Sequence, residues 1–190
     1  MNRAFIDSQN FKGIDFSKTH LEIADYEYCT FTNCNFLEVD LSNISFVECE
    51  FNHCNLSLSK IYNTQFKEII FNNCKILGLR FENCTKFFFE IEFNNSVLKL
   101  SSFYQLDLKN VRMTSCSLHE VDFSESHLKG FYFNDCDLSK AIFERTNLEK
   151  ADFRTAYNYA LDPENNNVQK AKFSQSGIDG LLHKYNIEIE

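Results

Sequence analysis

Tryptophan is absent from this 190-residue chain, proline occurs once and glycine only five times. So little punctuation argues against a fold of many separate strands and loops joined by Gly/Pro turns. No apolar run approaches the roughly 20 residues of a membrane-spanning helix. The polar, acidic opening MNRAFIDSQNF lacks the charged-then-apolar layout of a signal peptide. A cytoplasmic, reducing location is the expectation, and there eight cysteines are not read as a disulfide framework. No C-x-x-C occurs and no histidine pair has finger spacing, so no metal site is expected. His20, His53, His119, His127 and His183 are scattered, and no Gly-rich phosphate loop is present. Neither a catalytic constellation nor a cofactor is therefore expected. The balance of 27 acids against 19 bases, net −8, argues against nucleic-acid binding.

What the chain does have is 44% apolar residues, 21 of its residues being Phe, in strict order. Every fifth position from Ile6 to Phe81 is large and apolar. After a two-residue slip near 85–88, in TKFFFE, the rule resumes at Phe88 and runs to Phe153. This self-similarity spans most of the chain and marks a repeat architecture.

A period of five suits neither regular element. An α-helix advancing 100° per residue would spiral such a stripe around its axis, and a flat strand would put successive centres on opposite faces. The chain must turn a corner every five residues. Strand alternation then points the central residue i and residue i−2 inward, leaving three positions for solvent and corner. Slot i−2 should hold small residues. It holds all eight cysteines: Cys29, Cys34, Cys49, Cys54, Cys74, Cys84, Cys116 and Cys136. These are read as core thiols, small hydrophobes stacking along an axis. Recurrences at twenty residues, as in Cys34, Cys54 and Cys74, suggest four corners per turn.

Units such as ADFRT, VDFSE, CDLSK and TNLEK, of the form [small]-[D/N]-[L/F]-x-x, resemble the pentapeptide repeat proteins. The resemblance implies an all-β fold, a right-handed quadrilateral parallel β-helix with four pentapeptides per coil, over residues 1–155. Residues 156–190 form a separate tail, similar to that of the Qnr-type quinolone-resistance and mycobacterial gyrase-inhibitor members. What that implies is a non-enzymatic DNA mimic binding DNA gyrase or topoisomerase IV, a homodimer joined through its tail, and fluoroquinolone protection in some members. The alternative is a generic interaction or structural solenoid. Many Qnr-type members carry large projecting loops, whereas here only the two-residue slip interrupts the repeat.

The tail also reads from its own residues. Ile178, Leu181, Leu182 and Tyr185 fall at i, i+3, i+4 and i+7, an amphipathic stripe over about 174–185 with Ser174 and Ser176 as N-caps and Asn186 as terminator. Ile187 and Ile189 alternate in IEIE as a short strand would. Together these six residues are the candidate dimer interface, and the helix also serves as a plug over the last coil, whose strand edges would otherwise template aggregation. Glu48, Glu68 and Glu90 share slot i+2 of one face once the slip is counted, with Glu27 beside them. Like charges stacked about 5 Å apart are unfavourable, so these four are the candidate partner-binding residues.

Overall fold

The computed structural model describes residues 3–188. The chain winds into a parallel β-solenoid in which successive turns pair in register. One side carries a four-stranded sheet of β1 (Ala4–Asp7), β3 (Ala24–Glu27), β5 (Ser45–Val47) and β7 (Gln65–Lys67). The next side carries seven strands. These are β2 (Asn10–Lys12), β4 (Thr30–Thr32), β6 (Glu50–Asn52), β8 (Ile69–Asn72), β9 (Ile91–Asn94), β10 (Val111–Thr114) and β11 (Phe133–Asn134). Isolated bridges such as Asn35↔Asn55 and Ser102↔Asp122 continue the ladder on the other sides.

The five-residue rule produces this shape through three slots. Central residues form columns of stacked rings: Phe11–Phe31, Phe31–Phe51, Phe51–Phe71 and Phe71–Phe93 have centroids 4.7, 4.8, 5.0 and 5.3 Å apart. From Ala24 to the end of the repeat slot i−2 is buried except at half-buried Val39, whereas Gln9 and Thr19 in the first turn are exposed; all eight cysteines are free thiols in the interior. Its small residues also act as donors. Cys54 Sγ lies 3.3 Å from the Phe31 carbonyl, Ser59 Oγ 2.7 Å from that of Phe36, and Thr64 Oγ1 2.8 Å from that of Leu41. Each thus meets a carbonyl of the preceding turn that would otherwise be under-satisfied in the core. Slot i+2 makes the corner by a left-handed backbone, at φ near +50° to +70°, and occupants other than glycine adopt it repeatedly. Asn33, Asn43, Asn63, Asn73 and Asn95 are at home in that region. Glu38, Leu58 and Lys140 tolerate it because the ladders above and below fix the corner.

The slip is where the structure departs from the expected register. Ile69 pairs with Ile91, 22 residues on rather than 20. Phe88 does not resume the central column: it is 55% exposed, and Phe89 is buried instead, its ring edge-on to Phe81 at 6.2 Å. Phe88 instead takes a left-handed corner, φ +58°, and faces outward while Phe89 turns into the core, so the two extra residues are accommodated in a bulge at Lys86–Phe88. Phe87 projects from it, 70% exposed.

The ladder also runs on past residue 155. Asn147 pairs with Asn167, Asp152 with Lys172, and Phe173 stacks on Phe153 at 5.1 Å. A cap then closes this end. It is shorter and more broken than the expected helix: a 3-10 turn Gln175–Gly177, α1 (Asp179–Leu182), and a second 3-10 turn His183–Tyr185 ended by left-handed Asn186. Neither expected N-cap hydroxyl is seen to bond the helix start; Ser174 precedes the first 3-10 turn without a side-chain capping bond. The cause is steric. At Gly180 a Cβ would lie 2.1 Å from the Tyr159 carbonyl, and at Gly177 2.1 Å from the Tyr159 hydroxyl. Two glycines let the segment sit on Tyr159, and glycine in so short a segment weakens a regular helix.

Candidate functional site

The sequence-derived acid column is assembled by the corner between the two sheets. The position-i+2 column there reads Ser8, Tyr28, Glu48, Glu68, Glu90, Asn110, Gly130, Lys150 and Lys170. Glu48, Glu68 and Glu90 line a groove of about 450 Å³. Glu48 and Glu68 are held outward by left-handed corners at φ +50° and +56°. Glu27 does not join them: it lies in the neighbouring column, in register with Asp7 and Val47, and Tyr28 occupies its level of the groove.

Four contributors escaped the sequence reading. Glu50 and Glu92 reach the groove from the next face, with Ile70 in register between them. Their signal was present in the triplets Glu48–Cys49–Glu50 and Glu90–Ile91–Glu92, where an inward residue separates two outward acids across a corner. Tyr28 closes one end. Its phenol titrates above its ordinary value, chiefly because it hydrogen-bonds the Glu48 carboxylate, with the charges of Glu27 and Asp7 adding to the effect. Lys109 and Arg112 close the other end, and Arg112 is the register partner of Glu92. A groove of five carboxylates on an apolar floor of Ile69 and Ile91 can hold cationic side chains, with Ile70 offering a surface for their aliphatic stems.

The tail residues are not brought to one face. Leu181 packs against the core and Leu182 is half-buried, whereas Ile178, Tyr185 and Ile187 are exposed at 42%, 54% and 55%. The 3-10 turns explain this, since they advance 120° per residue and rotate Tyr185 out of the α-helical stripe. Ile187 lies in no strand, and Ile189 lies outside the described residues. Lys184 fastens the cap by pairing with Asp162 at 2.8 Å and Glu164 at 2.7 Å. Among the described residues, no helix is long and apolar enough to cross a membrane.

The family model "Pentapeptide repeat region" matches residues 81–153, and "Pentapeptide repeats (8 copies)" matches residues 27–61. A search of curated proteins finds no match. Among solved structures, the chain is similar to a trypsin-treated variant of QnrB1, a plasmid-mediated fluoroquinolone resistance protein. That match has a TM-score of 0.65 and 18% identity, over 100% of this chain and 95% of that one. It is also similar to HetL from the cyanobacterium Nostoc sp. strain PCC 7120, a pentapeptide repeat protein involved in heterocyst differentiation regulation. There the TM-score is 0.70 and the identity 14%, over 90% of this chain and 87% of that one. At such identities the likeness is one of fold. Five-residue slots, four columns per turn and two family models converge, and the chain belongs to the pentapeptide repeat family.

Proposed function

We propose that this protein is a non-enzymatic interaction solenoid whose acidic corner engages a basic protein surface, and that the surface is the DNA-binding region of a type II topoisomerase, DNA gyrase or topoisomerase IV. The observation that carries the reading is the convergence of Glu48, Glu50, Glu68, Glu90 and Glu92 on one groove. Carboxylates gathered at strand spacing cost stability unless something cationic relieves them. A basic saddle that normally holds duplex DNA is such a surface, and the Qnr-like tail and repeats noted in the sequence point to the same partner; with QnrB1, a fluoroquinolone resistance protein, the chain shares its fold. Mimicry is confined to the N-terminal half. Between Glu27 and Glu92 the corner carries a net −5, about one charge per 4 Å at strand spacing, against about one per 1.7 Å in DNA.

The test is binding of the full chain to purified gyrase and topoisomerase IV in competition with duplex DNA. Binding is expected to weaken as the Debye length falls from about 10 Å to about 3 Å, and to weaken further when Glu48, Glu68 and Glu90 are replaced together by Gln. Supercoiling with and without a fluoroquinolone then separates inhibition from drug protection. If neither enzyme binds nor changes activity at tens of micromolar protein, the topoisomerase reading falls and a generic scaffold stands.

A further inference from the structure

The corner that carries the acids changes sign halfway along the rod. From the level of Tyr28 to that of Glu90 it bears Glu27, Glu48, Glu50, Glu68, Glu90 and Glu92 against Lys67, net −5. From the level of Asn110 to that of Lys170 it bears Lys109, Arg112, Lys129, Lys150, Lys170 and Lys172 against Glu149 and Asp152, net +4. Four levels lie on each side, and the change falls between the register partners Glu92 and Arg112. A groove flanks the change on either side. The acidic one has a volume of about 450 Å³; the basic one, about 290 Å³, is lined by Lys109, Arg112, Lys129 and Tyr132.

We propose that this edge is a self-complementary interface on which a second copy of the chain lies antiparallel, about a two-fold axis at the Glu92/Arg112 boundary. A two-fold contact requires one surface to complement itself, and a rod acidic over one half and basic over the other does so when inverted. Inversion sets Glu90 and Glu92 against the second copy's Lys109 and Arg112 and Glu27 against its Lys170 and Lys172; at the level between, Glu68, paired with Lys67 at 3.5 Å, meets a Lys129 shared with Glu149 at 2.7 Å, and adds little. Glu48 and Glu50 meet the level of Lys150, where Glu149 and Asp152 are already held by Lys129 and Arg154, each at 2.7 Å. The apolar centre comes from the bulge. Phe87 and Phe88 are 70% and 55% exposed and stand at the level next to the axis, with Phe88 beside Lys67.

Eight levels span about 35 Å at strand spacing, so one corner's width buries about 500 Å² per copy. That total of about 1,000 Å² sits at the lower bound of specific interfaces. The dimer is therefore weak and sensitive to ionic strength. It also covers the acidic groove, so self-association and capture of a basic partner exclude one another.

Sedimentation of the full chain tests this without any topoisomerase, so its outcome is separate from that of the functional reading. Wild type is expected to dimerise with concentration at a Debye length of about 30 Å and to be monomeric at about 3 Å. Glu90→Lys with Glu92→Lys, and Lys109→Glu with Arg112→Glu, should each weaken the dimer about tenfold or more by setting like charges together. Mixing the two variants should restore dimers, because each presents one sign on both sides of the axis; rescue on mixing also shows that both are folded. A wild type monomeric at about 1 mM and low salt overturns the proposal. So does a dimer indifferent to these reversals and lost in Ile178→Ser with Tyr185→Ser, which would place the contact at the tail.

Discussion

The ring of Phe51 lies 4.8 Å from that of Phe31 with the planes 9° apart, and Phe11 covers the other side of Phe31 at 4.7 Å. Phe31 is thus stacked on both faces and fully buried. Phe31→Ala should cost about 3–5 kcal/mol, and Phe31→Asp should abolish cooperative unfolding in the first turns, since it buries an unpaired charge. Denaturant titration of both variants checks this; a cost below about 1 kcal/mol for Phe31→Ala would contradict the stacking account.

The thiols give a second prediction. Burial pushes the Cys49 thiol from 9.0 up to about 12, and burial also raises Cys29, Cys34 and Cys84. A thiol reagent near pH 8 should label none of the eight cysteines until the chain unfolds, because all eight are buried; Cys74 and Cys116, held below the ordinary thiol range by hydrogen bonds from Cys54 and Cys136, are shielded by that burial alone. The unfolded chain loses its thiol protons first, so the stability present below pH 9 should fall as pH rises toward 12. For Cys49 alone the slope is about 1.4 kcal/mol per pH unit. Thermal melts between pH 7 and pH 11 measure it.

The cap gives a third. Gly180→Ala places a Cβ into the Tyr159 carbonyl, so the segment 175–186 should lift from the last turn at a cost of about 1–3 kcal/mol. Hydrogen exchange should show lost protection there and in Leu161, whose N–H bonds the Gly180 carbonyl at 3.0 Å, while the first turns keep theirs.

The bulge gives a fourth. Deleting Lys86 and Phe87 shortens the 22-residue turn to 20 and carries Phe88 into the column above Phe66. Phe66 now has a stacked neighbour on one side only, Phe46 at 5.9 Å. The deletion should leave the melting temperature unchanged or raise it, with about 1 kcal/mol gained from the new ring pair. A large loss of stability would show that the bulge supports the neighbouring turns.

The core was legible because two slots of the repeat admit only certain side chains: ring columns such as Phe31–Phe51 and small donors such as Cys54 and Ser59 follow directly from the period. The left-handed corner was not, since slot i+2 contains Glu, Leu and Lys as well as Asn, and ladders above and below rather than the residue itself impose the conformation. Phe88 was misplaced because the period counted back from Phe93 puts it in the column, whereas the chain turns a left-handed corner at Phe88 itself and sends Phe89 inside. Glu48, Glu68 and Glu90 were found because they share one slot. Glu50 and Glu92 were not, because they enter the same groove from the next face, and a count along one slot never crosses the corner.

The cap on Tyr159 also sets the order in which the molecule yields to load. Each turn touches only the turns beside it, so a pull on the C-terminus concentrates on the last one. The Lys184 pairs and the glycine cradle give way first. The rod then unwinds like thread from a spool, each turn of 20 residues releasing about 70 Å of contour length. Single-molecule extension should therefore show a regular staircase with one longer step, where the 22-residue turn comes free.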